Sequence, residues 1–138
     1  MRRAGALFVL ALLGCASAPQ MDIAPATTRE AAGLVDIRTL VPAIALDMRY
    51  AGRDNFTGAP VDGYGAPRCW LLAPAARAIE RVENDLRTQG YRLRIFDCYR
   101  PARAVRAFVA WANNADETTK SRYYPALDKP ALLGGFIP

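Results

Sequence analysis

Arg100 stands in the stretch FDCYRPARAV, Phe96 to Val105, directly after an apolar run and before a proline. A guanidinium is planar, permanently charged and carries its donors in a rigid fork. Between a strand end and a helix start it can aim hydrogen bonds at a carboxylate or at the oxygen of a carbonyl under attack. A plainer reading stays open at this stage, in which Arg100 makes a surface or structural ion pair in a strand–helix turn.

Other catalytic equipment is scarce. The chain contains no histidine. A Ser–His or Cys–His nucleophile is therefore ruled out, and a zinc site, normally built from His, Cys and Asp or Glu, has almost no ligands to draw on. No glycine signature of the phosphate- or dinucleotide-binding type is present. Three cysteines occur, and with Cys15 assigned to export, Cys69 and Cys98 remain. In an oxidising compartment they could pair, closing a loop of about 30 residues and contributing roughly 3 to 4 kcal/mol. Two buried free thiols are the alternative.

The elements that would position these residues follow from periodicity. Ile44, Leu46, Met48 and Tyr50 alternate with Ala45, Asp47 and Arg49, as in a half-buried strand. Gly52 to Cys69, with four glycines, two prolines and Asp54, Asn55 and Thr57, predicts a long irregular loop, a kind of segment that is usually functional or mobile. Pro74 suits a first helical turn, and Ile79, Val82 and Leu86 recur at helical spacing before Gly90, so a helix is expected over 73–89. YRLRIFDCY, residues 91–99, alternates again and predicts a strand with Leu93, Ile95 and Asp97 on one side and Arg92, Arg94 and Phe96 on the other. Pro101 can open a second helix to about Asn113, with Val105, Phe108, Val109 and Trp111 as its apolar stripe. Beyond Ser121, three prolines and two adjacent glycines predict irregular chain or short turns.

At 138 residues, with 52% hydrophobic and 22% charged, the chain has the composition of one globular domain. The start is different. MRR followed by AGALFVLALLGC reads as an export signal. Its apolar part, Ala4 to Leu13, falls well short of a membrane-spanning helix, which needs roughly 20 residues. LLGC resembles a bacterial lipoprotein signal, with residues 1–14 removed and Cys15 lipidated. A plain secretory cut after Ala16–Ala18 fits nearly as well. Either route takes the mature domain out of the cytoplasm, attached in the first case to the membrane. Loss of Arg2 and Arg3 lowers the formal charge from +5 to +3. The remaining arginines are scattered without aromatic interleaving, which argues against nucleic acid. Residues 15–33, rich in Ala, Pro and Thr, are expected to be a tether, and 34–138 the folded part. No internal repeat occurs.

Three separated segments, LDMRYAGRDNFTG at Leu46–Gly58, FDCYRPARAV at Phe96–Val105 and YYPALDK at Tyr123–Lys129, together resemble the D-alanyl-D-alanine dipeptidase family of zinc peptidases, in the family's order. The resemblance implies an α+β fold with helices packed on a mainly antiparallel sheet. It also implies hydrolysis of the dipeptide D-alanyl-D-alanine by a zinc-activated water, with Arg100, the arginine of the Y-R-P motif, stabilising the transition state. The family's zinc ligands lie in an S-x-H-x-x-G-x-A-x-D motif and a later E-x-x-H whose glutamate is the general base. Neither motif is in this sequence, so the chain is expected to be the N-terminal portion of such a domain, cut before the metal site and inactive alone. Trimming of longer cell-wall peptides is a neighbouring activity of related enzymes, against which the DNFTG loop weighs. A non-catalytic envelope lipoprotein that binds peptidoglycan stem peptides is the reading from another class.

Overall fold

The computed structural model describes residues 25–135 and 137. The expected signal segment 1–14, the lipidation site Cys15 and the first part of the tether, to residue 24, lie outside the described residues. Ahead of the first strand, a hydrogen-bonded turn runs through Thr28–Gly33, and the Arg29 guanidinium lies 4.4 Å from the centre of the Trp70 ring. Among the described residues no helix is long and apolar enough to cross a membrane.

Mixed helix and strand make up the fold. Strand β1 (Leu34–Asp36) pairs antiparallel with β3 (Trp70–Leu72), whereas β2 (Ala45–Leu46) pairs in parallel with β4 (Arg94–Ile95). The described residues thus form two small two-stranded sheets, one of each sense, rather than one mainly antiparallel sheet. Helix α1 (Ala73–Thr88) follows β3 directly, with Pro74 in its first turn. A missing amide hydrogen costs nothing there. Helix α2 (Ala102–Ala112) follows Pro101, and two single-turn helices, α3 (Lys120–Tyr123) and α4 (Lys129–Leu132), come after it.

The expected strand at Ile44–Tyr50 is shorter than its pattern, for a reason visible in the packing. Ladder-like bonds continue past β2, with Asp47 N donating to Ile95 O (2.8 Å) and Arg49 N to Phe96 O (3.3 Å). A 3-10 turn at Arg49–Ala51 then ends the extended run. That turn carries the chain from one core to the other. Ile44 and Met48 are buried with Ile37, Val41, Cys69 and Ala76, under α1 and the two sheets. Tyr50 instead packs with Val61, Tyr64, Ala104, Phe108, Trp111, Tyr124 and Leu132 around α2. Around β4 the expected alternation holds in the burial, Leu93 and Ile95 facing the first core while Arg92, Arg94 and Phe96 are exposed.

The apolar stripe of α2 is a correction. Ala104, Phe108, Trp111 and Ala112 are its buried residues, and Val109 is exposed. Two alanines share the buried face with Phe108 and Trp111 in place of the two valines, and the rings of Tyr50 and Phe56 pack on that face, 4.9 and 5.1 Å from that of Phe108. The tail beyond Ser121, though built of short turns, is core. Tyr124, Leu132 and Ile137 are buried, and so is Lys129. Among the described residues the Lys129 ammonium makes no salt bridge. It donates to Trp111 O (3.2 Å), Asn114 O (3.3 Å) and Asn114 Oδ1 (2.6 Å). These acceptors form the carbonyl-rich end of α2, where a positive charge is favoured. The third segment of the resemblance thus holds the helix that follows Arg100.

Candidate active site

Arg100 sits in the short extended passage between β4 and α2. Pro101, at a φ of −71°, ends that passage and starts the helix. Its ring locks the backbone at such a value in any context. The Arg100 side chain is 29% exposed, and its Nη2 donates to Asp97 Oδ2 at 3.0 Å. Asp97 divides its two oxygens. Oδ1 accepts from the Tyr64 hydroxyl (3.0 Å) and the Cys98 amide (2.9 Å), so the carboxylate cannot turn away from Arg100. The guanidinium carbon lies 5.5 Å from the Tyr50 ring centre and 5.1 Å from that of Phe108. The guanidinium is therefore held by a carboxylate and flanked by aromatic rings, and its five N–H donors are more than the Asp97 bond uses.

The electrostatics agree with a charged Arg100 and neutral phenols. Burial works against the guanidinium's charge, but hydrogen bonds with Asp97 and Tyr64 outweigh it and raise the Arg100 pKa. Burial, then the adjacent Asp97 charge and hydrogen bond, push the Tyr64 phenol far above its ordinary value. Tyr50 is raised as well, by burial first, with Arg100 opposing.

The glycine-rich loop is ordered by its own side chains. Asn55, buried, donates from Nδ2 to the carbonyls of Gly52 (2.8 Å), Ala59 (2.9 Å) and Arg49 (3.2 Å), and its Oδ1 accepts from Thr57 N (2.9 Å) and Thr57 Oγ1 (2.7 Å). Asp54 accepts from Arg49, Arg122 and the Tyr123 hydroxyl, tying this loop to the tail. The Tyr123 hydrogen bond, helped by Arg122 and Arg49 against desolvation, lowers the Asp54 pKa. Further along, Gly63 has φ +101°, and a Cβ there would meet Pro101 Cγ at 2.6 Å and Arg103 at 3.1 Å. Only glycine allows the loop to press on the start of α2, and that contact brings Tyr64 to Asp97. A cleft of about 580 Å³ lined by Arg29, Trp70, Tyr64, Tyr99 and Arg103 adjoins this contact but does not include Arg100.

Sequence reasoning singled out Arg100 but missed the residues that hold it. Asp97 could have been found as an acid three residues before the arginine, and Tyr64 as an aromatic flanked directly by two glycines. Tyr50 and Phe108 carried no signal beyond apolar periodicity. Cys69, fully buried, and Cys98 form a disulfide with their Cα atoms 5.3 Å apart. That separation lies within the range such a bridge needs.

Zinc, which the resemblance implies, does not fit the residues present. The chain has no histidine, Cys69 and Cys98 are consumed by their bridge, and among the described residues no three His, Cys, Asp or Glu side chains converge as a ligand set. The carboxylates nearest Arg100 and the loop, Asp97 and Asp54, are each engaged by arginine and tyrosine.

What the fold and site define is a mixed helix-and-strand domain in which Arg100 is anchored by Asp97 beside two aromatic rings. The family model described as D-ala-D-ala dipeptidase, peptidase M15, matches residues 30–133. A D-alanyl-D-alanine dipeptidase of Enterococcus faecium is 37% identical over 107 residues, which cover 76% of this chain and 53% of that protein. That of Enterococcus faecalis is 35% identical over 102 residues, 73% and 50% of the two chains, and that of Streptomyces coelicolor 40% over 95 residues, 68% and 47%. The chain belongs to the D-ala-D-ala dipeptidase family, and it spans about half the length of these relatives.

Proposed function

We propose that this chain carries the substrate-polarising arginine of a D-alanyl-D-alanine dipeptidase, with Arg100 as the group that takes the scissile carbonyl oxygen. The observation that carries this reading is the anchoring of Arg100 by Asp97 beside the paired Tyr50 and Phe108 rings. As the peptide carbon becomes tetrahedral, its oxygen gains negative charge, and donors already in place stabilise that charge more than they stabilise the flat carbonyl. The aromatic wall lowers the local dielectric and strengthens the contact. Removal of such a donor costs on the order of 10² to 10³ in rate in a complete enzyme.

In the complete family enzyme zinc would supply the activated water, in a domain whose sheet is mainly antiparallel. The residues of this chain do not provide that metal site, so the 138-residue chain is proposed to bind the dipeptide without hydrolysing it. Export, with lipidation at Cys15 and attachment to the cell envelope, completes the proposal. The Cys69–Cys98 bridge supports an oxidising compartment. Fragment of a dipeptidase and dedicated binder of peptidoglycan stem peptides are both compatible with such binding. The missing histidines favour the binder only if longer stem peptides are held more tightly than the dipeptide.

The test is a nuclear magnetic resonance titration of the folded chain with D-alanyl-D-alanine, followed at the Arg100 side-chain Nε–H signal. Saturable movement of that signal, absent in Arg100→Ala, is the expected result. No movement at concentrations up to the dipeptide's solubility would overturn the proposal.

A further inference from the structure

The disulfide lies within the passage that carries Arg100. Cys98 is the residue after Asp97 and two before Arg100, and its amide is one of the donors to Asp97 Oδ1. Cys69 immediately precedes β3. The two small sheets share no strand, and among the described residues one backbone hydrogen bond, Tyr99 N to Trp70 O (2.9 Å), joins the β3 segment to the passage after β4. The bridge is the covalent partner of that single bond. It closes a separation of 29 residues, taking in all of β3, α1 and β4.

We infer that the Cys69–Cys98 bridge is the positioning tie of Arg100, and that a dithiol reductant opening it loosens the arginine while the rest of the domain stays folded. The inference rests on the reading of Arg100 as the substrate-contacting group. Each core has apolar packing besides the bridge: α1 and the sheets enclose Ile37, Ile44 and Ala76 together with Cys69, and α2 with the tail encloses Phe108, Trp111 and Tyr124. The passage from Phe96 to Pro101 is otherwise held by contacts that are weaker than a covalent bond. Phe96 and Tyr99 are exposed, and its other anchors are the Tyr64 bond to Asp97, the Arg100–Asp97 pair, the Arg100 guanidinium beside the Tyr50 and Phe108 rings, Arg49 over the Phe96 ring and the Gly63 contact with Pro101. Access is asymmetric, because Cys69 is fully buried and Cys98 only partly so. A thiolate of the reductant therefore attacks the Cys98 sulfur, the bridge breaks, and Cys69 leaves as a thiolate that takes up a proton. The reductant's second thiol then displaces Cys98 as a thiol and closes the reductant's own disulfide, two electrons having passed to the protein.

The experiment compares the rate at which p-hydroxyphenylglyoxal modifies Arg100 in the full chain before and after dithiothreitol, resolved by peptide mass spectrometry, with exposed Arg77 and Arg81 on α1 as internal standards. Opening a local restraint should raise the Arg100 rate by about tenfold while the standards and the far-ultraviolet circular dichroism stay constant. The double variant Cys69→Ser with Cys98→Ser should show the fast rate with or without reductant. Equal rates with the bridge shown open by mass overturn the inference. So does a parallel rise at all three arginines, which would make the bridge a global staple, or free thiols in the protein as purified. None of these readouts requires dipeptide binding, so a failed titration of the dipeptide and a failed reactivity difference remain distinct results.

Discussion

Asp97 and Glu83 hold arginines by the same device, a carboxylate whose other oxygen is pinned by a backbone or phenolic donor. Glu83, in the middle of α1, is fully enclosed and accepts from Leu93 N (2.8 Å) and Arg92 Nε (3.3 Å), while Arg92 Nη2 donates on to Ala43 O (2.8 Å). The Leu93 amide first, then Arg92 against desolvation, lowers the Glu83 pKa. A carboxylate depressed in the folded state stabilises it above the ordinary glutamate value and loses that contribution as pH falls through the folded pKa. Acid unfolding of the parent chain should therefore steepen below about pH 4.3, the ordinary glutamate value. Glu83→Gln should be less stable at neutral pH and should show a smaller acid loss, measured by thermal unfolding from neutral to acid pH. Equal acid dependence in both proteins would refute this assignment. At the site itself, Tyr64→Phe should cost about 0.5 to 1.5 kcal/mol in chemical denaturation, and Asp97→Asn, which breaks a charge-assisted bond, about 1.5 to 3 kcal/mol. A larger loss from Tyr64→Phe than from Asp97→Asn would contradict the arrangement.

Helix α2 shows what periodicity can and cannot say about an element. Its existence, its start at Pro101 and the inward placing of Phe108 and Trp111 were legible, because a proline tolerated only in a first turn and apolar residues three apart have few other solutions. Which neighbours share the buried face was not legible, because Val105 and Val109 are as apolar as Ala104 and Ala112. The face that meets the rings of Tyr50 and Phe56, residues far away in sequence, is the one that carries the small residues. Phe108 is fully buried and touches Tyr50, Phe56 and Arg100. Phe108→Ala should therefore cost about 3 to 5 kcal/mol. Val109→Ala, exposed, should stay within about 0.5 kcal/mol. Denaturant midpoints of the two variants check the face directly, and comparable losses would return the stripe to its sequence-based position. Gly63 belongs to this scale too, since its left-handed backbone docks the loop on the first turn of α2.

Over the whole molecule, the described residues form two small cores that meet at Ala51, and the proposed function makes a prediction about metal. Chelator-washed protein assayed by plasma mass spectrometry should hold far less than one zinc per chain and release no alanine from the dipeptide. Stoichiometric zinc with turnover would refute the proposal of a binder without catalysis. The amino-acid sequence alone determined the two long helices, the alternation around β4 and membership of the dipeptidase family through three separated segments. These rest on local chemistry or on motifs that survive as strings. Only the tertiary structure decided that Asp97 and Tyr64 hold Arg100, that Asn55 and Asp54 order the loop, that Lys129 closes α2, and that the pairing of β2 with β4 is parallel. Those contacts join residues up to 69 positions apart, as Tyr123 and Asp54 do. Which distant partner satisfies a buried polar group depends on how the elements pack, and neither spacing nor residue type records that.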